Sequence, residues 1–458
     1  MRSSAPSRGR QGRSGNKPTG KPEPKKPIYA VRIEQVKSVL AEVQKWKYPA
    51  DSVLSTWFRQ NKSLGSRDRA EVAEAVFDIL RNLRRYRQYA ESGVGSFLQR
   101  LAILGLAATL GQDAIRDVIT EEENAWLAHL QTIDLSALAP AVRGSVPDWL
   151  YEHLSKLDNA ESLIAALNEK APLDLRVNTF KTDRETVLAS FKDSPAEQFE
   201  PAATPYSPWG IRLKGKPAVN RWPLFENGSL EVQDEGSQIL GMLVSPRRGD
   251  MVIDFCAGAG GKTLLLGALM RSTGRLYAFD VSAARLAKAK PRIARSGLSN
   301  VTPVAIANEN DVRVKRLAKK AHRVLVDAPC TGMGTLRRNP DLKWRQSPQD
   351  IQELTALQAS ILASASRCVA PGGRLVYSTC SVLPEENELQ VQQFLQAHPD
   401  FTLLNVNQVL GDRCPDLRMD TDYLQLRPDV HGTDGFFAAV MERQKKEEPV
   451  NENKEAGQ

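Results

Sequence analysis

The sequence predicts an α/β protein: a doubly wound parallel sheet, preceded by an all-helical segment and a small α+β connector. Three observations predict it. From about residue 234, strand-like and helix-like segments alternate, the pattern of parallel strands joined by helical crossovers. From about 30 to 168, apolar residues recur at helical spacing and Val/Ile alternation is scarce. Between them lie short strands, Leu173–Phe180, Gly210–Leu213 and Ser229–Val232, in a loop-rich stretch set by Pro205, Pro208, Pro217 and Pro223. At 458 residues the chain exceeds one typical domain.

Residues 1–27 hold eight Lys/Arg against one Glu, so nearly all of the net charge of +8 lies there. This Gly-, Pro- and Ser-rich stretch is expected to be a disordered basic tail, either an arm that raises RNA affinity or a solvated end. Residues 28–168 are expected as an all-helical unit, with Val36, Val39, Leu40 and Val43, and then Val72, Val76, Ile79, Leu80 and Leu83, on buried faces. Within it, Arg81, Arg84 and Arg85 alternate with Tyr86 and Tyr89, a pattern that suits phosphate contact and base stacking, or a solvated helix face. Residues 169–233 form the connector, 234–442 the α/β unit, and 443–458 a second tail expected to be disordered.

Composition narrows the function classes. No run of about twenty apolar residues exists, so no membrane span is expected. The N-terminus lacks the apolar middle of a secretory signal, which implies a cytoplasmic protein. Five cysteines make no disulfide framework, and no Cys-x-x-Cys or His pair completes a ligand set, so no metal is expected.

In the α/β unit every chemically suggestive motif falls at the carboxyl end of a predicted strand, where ligands of such sheets bind. Strand Met251–Phe255 runs into Cys256-Ala257-Gly258-Ala259-Gly260-Gly261-Lys262-Thr263. Small residues let a ligand approach the backbone, and the following helix N-terminus faces it with free N–H groups. This is no Walker A loop, because Cys256 stands where the first glycine belongs. Cys256 reads as a packing residue. Asp280 ends the second strand, placed to accept a ribose, while Ser282 caps the next helix. Up to this point NAD and S-adenosylmethionine are both open.

Two further strands, Arg323–Asp327 and Arg374–Ser378, run into Cys330 and Cys380. Thiols at a cofactor edge suit pyrimidine C5 methylation. A thiolate adding at C6 makes C5 enamine-like and able to take a methyl group, which is covalent catalysis.

The motifs Asp327-Ala328-Pro329-Cys330-Thr331-Gly332, Ser378-Thr379-Cys380-Ser381 and Glu385-Glu386-Asn387 resemble the RNA cytosine-C5 methyltransferases. Leu336-Arg337-Arg338-Asn339-Pro340-Asp341, Lys343-Trp344 and Gly432-Thr433-Asp434-Gly435-Phe436-Phe437 are similar to the bacterial ribosomal branch of that family. Arg176-Val177-Asn178 and Val232-Gln233-Asp234 match its connector motifs, and Arg67-Asp68-Arg69 resembles its NusB-like N-terminal domain. The resemblance covers roughly residues 30–442. It implies a Rossmann-like, S-adenosylmethionine-dependent domain in which Cys380 attacks C6, Cys330 assists release, and Asp327 contacts the target base and the cofactor's reactive end. By the same resemblance, Cys256, Ala257, Gly258, Ala259, Gly260, Gly261 and Lys262 line the methionine moiety and Asp280 holds the ribose. Asn308 stands where the family usually has an aspartate beside the adenine. Arg337, Arg338, Lys343 and Arg345, which follow Cys330, are expected to clamp RNA, with Trp344 a stacking platform or a core anchor. Arg313, Lys315, Arg316, Lys319, Lys320 and Arg323 form a phosphate track or a solvated face. The implied substrate is small-subunit (16S) ribosomal RNA, acted on by a monomer. Transfer RNA, and a non-catalytic RNA-binding role, are the alternatives.

Overall fold

The computed structural model describes residues 27–445, so the two tails expected at 1–27 and 443–458 lie almost wholly outside the described residues. Among the described residues no helix is long and apolar enough to cross a membrane.

The helical stretch buries two cores rather than one. Helices Ile28–Val43, Ala50–Gln60, Ser66–Ala90, Phe97–Leu110 and Glu121–Leu130 close around Val36, Leu40, Val76, Ile79, Leu83, Leu101 and Ile103. Capping marks their starts: Ser96 accepts the Gln99 N–H, and Thr120 and Glu123 form a reciprocal capping box. The helices Asp148–Leu154 and Ala160–Leu167 instead share a core with Met333, Leu336, Ile351 and Leu383 of the α/β unit. The connector is a four-stranded antiparallel sheet of β1 (Leu173–Val177), β2 (Ala202–Ala203), β3 (Gly210–Leu213) and β4 (Leu230–Val232), in the order β2-β3-β1-β4.

The large sheet contains β5 (Met251–Asp254), β6 (Arg275–Asp280), β7 (Val301–Ala305), β8 (Ala321–Asp327), β9 (Val369–Thr379), β10 (Phe401–Leu404) and β12 (Phe436–Arg443), with β11 (Leu424–Leu426) paired to β12. Its order is β10-β12-β9-β8-β5-β6-β7. The expectation of a wholly parallel sheet is corrected here: β5 to β9 run parallel, but β12 is antiparallel to both β9 and β10. The crossover from β9 through helix Glu388–Ala397 to β10 skips one place, and β12 fills it from the opposite direction. Chain order reverses between β5 and β8, and a cleft opens there at the strands' carboxyl ends.

The helix between β9 and β10 begins only after the Glu385-Glu386-Asn387 motif. Pro384–Glu386 is a 3-10 turn, Asn387 leaves helical geometry at φ −114°, ψ −103°, and the helix starts at Glu388. Glu386 and Asn387 are turned inward instead, toward the two cysteine turns.

Candidate active site

The glycine turn sits between β5 and β6. Gly258 and Gly260 hold φ of +56° and +82°, which glycine adopts without strain. Asp280, buried at the end of β6, accepts the Gly258 N–H at 2.8 Å through Oδ2 and the Ser282 N–H at 2.7 Å through Oδ1. Ser282 in turn caps the next helix at the Arg285 N–H. The turn is braced from behind by residues whose role was not legible in sequence. Arg292 donates to Ala259 O and Arg176 to Gly261 O, each at 2.7 Å. Glu231 of β4 pairs with Arg292 and Arg295. The connector sheet therefore fixes the shape of the turn.

Lys262, in the first turn of helix Gly261–Leu269, reaches across the cleft to Asp327 Oδ2 at 2.8 Å. Burial alone would lower its ammonium, but Asp327 outweighs that and holds it above its ordinary value. Below the pair, Asp254 accepts Thr263 Oγ1 at 2.6 Å, and its other oxygen is buried with no hydrogen-bond partner. Burial raises the Asp254 carboxyl to about 7, with Asp327 and Asp280 adding to the rise. Burial likewise pushes the Cys256 thiol well up, in keeping with a packing residue.

Cys330 and Cys380 end adjacent parallel strands, β8 and β9, and their sulfurs stand 3.3 Å apart. The hydrogen bond to Cys380, followed by burial, raises the Cys330 thiol well above its ordinary value, so it keeps its proton at neutral pH. Glu386, fully buried, accepts from Thr331 N at 2.8 Å and Thr331 Oγ1 at 2.5 Å, holding the turn beside Cys330. Gln358 bridges Pro329 O and Glu386. Asn387 accepts Thr379 Oγ1 and donates to Ser381 O, holding the Cys380 turn in the same way. Glu386 and Asn387 stood in the sequence only as part of a motif; their burial explains them. Gly334 N–H donates to Cys380 O, and Gly435 N–H to Gly334 O. A Cβ on Gly334 would meet Gly435 O at 2.1 Å, so this crossing of loops requires glycine.

The residues expected to clamp RNA are held in internal contacts. Arg337 is buried and donates to Gly432 O and Thr433 O. Arg338 pairs with Asp234 and Asp434, tying three segments together. Lys343, 1% exposed, donates to Arg81 O at 2.8 Å and Asn168 Oδ1 at 2.6 Å. Arg345 turns to Asp341. Arg81 is also buried, on Arg337 O, and Arg84 is used by Val146 O and Asp148. Arg85 remains half-buried, against Asn82. Trp344 is an anchor, its Nε1 donating to Leu80 O at 2.6 Å. These contacts gather at a break in helix Ser66–Ala90, where Asn82 adopts φ −105°, ψ 15°. Carbonyls there accept from the loop that follows Cys330, and Arg84 N–H donates to Ser145.

At the β7 edge, Asn308 is exposed and caps its own turn at the Asn310 N–H. Asp311 is turned away, with the Arg313 guanidinium and the Ala307 N–H holding its carboxyl below the usual range.

The Rossmann-like sheet, its glycine turn with two left-handed residues and the acid closing the second strand form a nucleotide-cofactor site, and the family matched by the α/β unit makes it that of an S-adenosylmethionine-dependent methyltransferase. Residues 241–442 match the 16S rRNA methyltransferase RsmB/F family, and residues 146–220 match the RsmF/B-like ferredoxin-like domain. The chain is 34% identical over 326 residues to ribosomal RNA small subunit methyltransferase B of Sodalis glossinidius, covering 69% of this chain and 71% of that one. It is 36% identical over 304 residues to the protein of that name from Erwinia tasmaniensis, covering 65% and 66%. The crystal structure of PH0851 superposes with a TM-score of 0.71 at 25% identity, covering 92% of this chain and 99% of that one. The chain belongs to the RsmB/F family of RNA methyltransferases.

Proposed function

We propose that this protein methylates C5 of a cytosine in small-subunit (16S) ribosomal RNA through a covalent bond between Cys380 and C6. The observation that carries this reading is the pair of thiols, 3.3 Å apart, at the ends of β8 and β9 beside the Lys262–Asp327 pair. One thiol held protonated next to another suits a nucleophile and an assistant.

S-adenosylmethionine, when bound, supplies an electrophilic methyl group. The site fits it: the turn from Cys256 to Lys262 carries little side-chain bulk over its glycines, Asp280 is placed for the ribose, and Asp254, with one buried oxygen unpartnered, ends the strand that enters the turn. In this reading Asn308 lies on the adenine side. Cys380 gives up its S–H proton and its Sγ bonds to C6; the C5–C6 double bond opens, and C5 becomes the carbon that takes the methyl group. A base then removes the C5 proton, the Sγ–C6 bond breaks, and the ring regains its double bond. Cys330 assists that last step by donating its S–H to the departing Cys380 sulfur. The Asp327 carboxylate, held by Lys262 and Ser378, accepts from the cytosine N4 amino group, where uracil presents only an acceptor. The target base has to leave its stack to reach the cleft.

In the same reading the helical N-terminal stretch is a NusB-like RNA-binding unit, residues 169–233 are a connector, residues 234–442 are the catalytic unit, and the chain acts as a cytoplasmic monomer. The names of the curated relatives support ribosomal over transfer RNA. The test is nucleoside analysis after reaction of the full chain with labelled cofactor and unmodified small-subunit ribosomal RNA or tRNA. 5-Methylcytidine in ribosomal RNA alone is expected, and its loss in Cys380→Ala. Label in tRNA alone overturns the substrate. Full activity in Cys380→Ala overturns the mechanism.

A further inference from the structure

At the edge of the large sheet opposite the thiols lies a recess of about 300 Å³, lined by Ser245, Arg247, Arg323, Arg374, Leu404, Gln408 and Val409. Arg323 of β8 and Arg374 of β9 are register partners on neighbouring parallel strands, so their side chains leave the same face. Arg247 enters from the loop before β5, and Arg413 closes one side by donating to Ser245 Oγ at 2.9 Å.

Arg323 and Arg374 are half-buried here, and Arg247 and Arg413 are exposed at the rim. Arg338, Arg292, Arg295 and Arg212 each face a carboxylate. Among the described residues, none of Arg247, Arg323, Arg374 and Arg413 makes a salt bridge. The side-chain hydrogen bonds of three of them go to neutral groups: Arg323 to the Ser245 and His322 carbonyls, Arg374 to the Leu243 carbonyl, and Arg413 to Ser245 and the Leu410 and Met242 carbonyls. Arg374 Nε is buried without a partner. Of the nearby acids, Asp250 accepts the Arg247 backbone N–H, and Glu442, directly opposite Arg374 on β12, makes no salt bridge with any of the four. Burial, together with Arg323, Arg413 and Arg247, lowers the Arg374 guanidinium to about 10, although Glu442 opposes this. Like charges gathered in a partly desolvated recess are unfavourable until an anion joins them. A phosphate matches the guanidinium fork through two oxygens.

We propose that this recess binds a backbone phosphate of the RNA whose base is methylated at the opposite edge. The inference rests on the RNA reading above. β9 runs from Arg374 to Thr379 and then Cys380, about 20 Å at 3.3 Å per residue, so different parts of one folded RNA occupy the two edges. The same geometry resolves the basic run from Arg313 to Arg323. Arg313 is taken by Asp311 and Lys320 by a carbonyl, and Arg323 turns into the recess.

The experiment measures binding of the full chain to a transcript of small-subunit ribosomal RNA, without cofactor, from 50 to 300 mM KCl. Arg247→Glu/Arg374→Gln is expected to bind about tenfold more weakly at 100 mM, with a salt slope shallower by about 1. Its kcat at saturating RNA should stay unchanged while KM rises. Arg247→Glu alone, on an exposed side chain, should show the same trend with an unaltered thermal midpoint and covers misfolding of the double variant. Equal affinity and slope in both variants overturn the proposal. So does the outcome in which inorganic pyrophosphate raises the thermal midpoint of the wild type but not of the variants while RNA affinity is the same, since the recess then takes free phosphate groups. Because binding is read without turnover, a wild type that binds with the steeper slope but forms no 5-methylcytidine upholds the recess and overturns the methylation reading instead.

Discussion

Asp254→Asn is expected to stabilise the protein at alkaline pH. Asp254 is 1% exposed; Thr263 satisfies one oxygen and nothing satisfies the other. Burial, reinforced by Asp327 and Asp280, lifts the carboxyl from 3.8 to about 7. Between those values the folded state keeps a proton that the unfolded state releases. The stability contributed by the protonated form is therefore fully present below pH 3.8 and is lost as pH rises through about 7. A shift of about three units at 1.36 kcal/mol each sets an upper value of about 4 kcal/mol for the loss at pH 8. Asparagine has nearly the same shape, carries no charge and still accepts the Thr263 hydroxyl. The assay is urea denaturation of wild type and variant at steps from pH 4.5 to 8, read as a difference so that other titrating groups cancel. The gap should be small near pH 4.5 and grow to several kcal/mol in favour of the variant. Parallel curves across that range refute the assignment of a raised carboxyl to Asp254.

Cys330→Ala should leave the Cys380–C6 bond in place after methyl transfer. A slow-migrating protein–RNA band on denaturing gels is expected, absent when Cys380 is also alanine; no band in the single variant removes Cys330 from release. Trp344→Phe leaves Leu80 O without its donor and should cost about 1–3 kcal/mol, read as a lower thermal midpoint; an unchanged midpoint means the contact does not anchor the loop. Arg338→Met leaves Asp234 and Asp434 facing each other unpaired and should cost about 2–4 kcal/mol, less than a fully buried pair because Arg338 is 30% exposed. Stability within 1 kcal/mol of wild type would show that those carboxylates find other partners.

The basic run after Cys330 shows where sequence reading stops. Arg337, Arg338 and Lys343 have the composition of a solvated phosphate clamp, and composition is the same whether a cation meets water or a carbonyl. What buries Lys343 is the break at Asn82, whose flanking carbonyls lie within reach only after two distant segments pack. Glu386 is the converse. In the sequence it is one acid of a motif with no partner in sight, and only packing shows that its carboxylate holds Thr331.

Sequence alone determined the order of strands and helices from β5 to β9, because parallel strands with helical crossovers impose a repeating apolar pattern on the chain. It also determined which residues end those strands, and so brought Asp280, Asp327, Cys330 and Cys380 to one edge. Only the tertiary structure decided the reversed insertion of β12 between β9 and β10, since strand direction leaves no mark on apolar periodicity. It alone decided which arginines pair with carboxylates and which gather at one recess without such a pair, because ion pairing between residues far apart in the chain depends on packing, not on spacing.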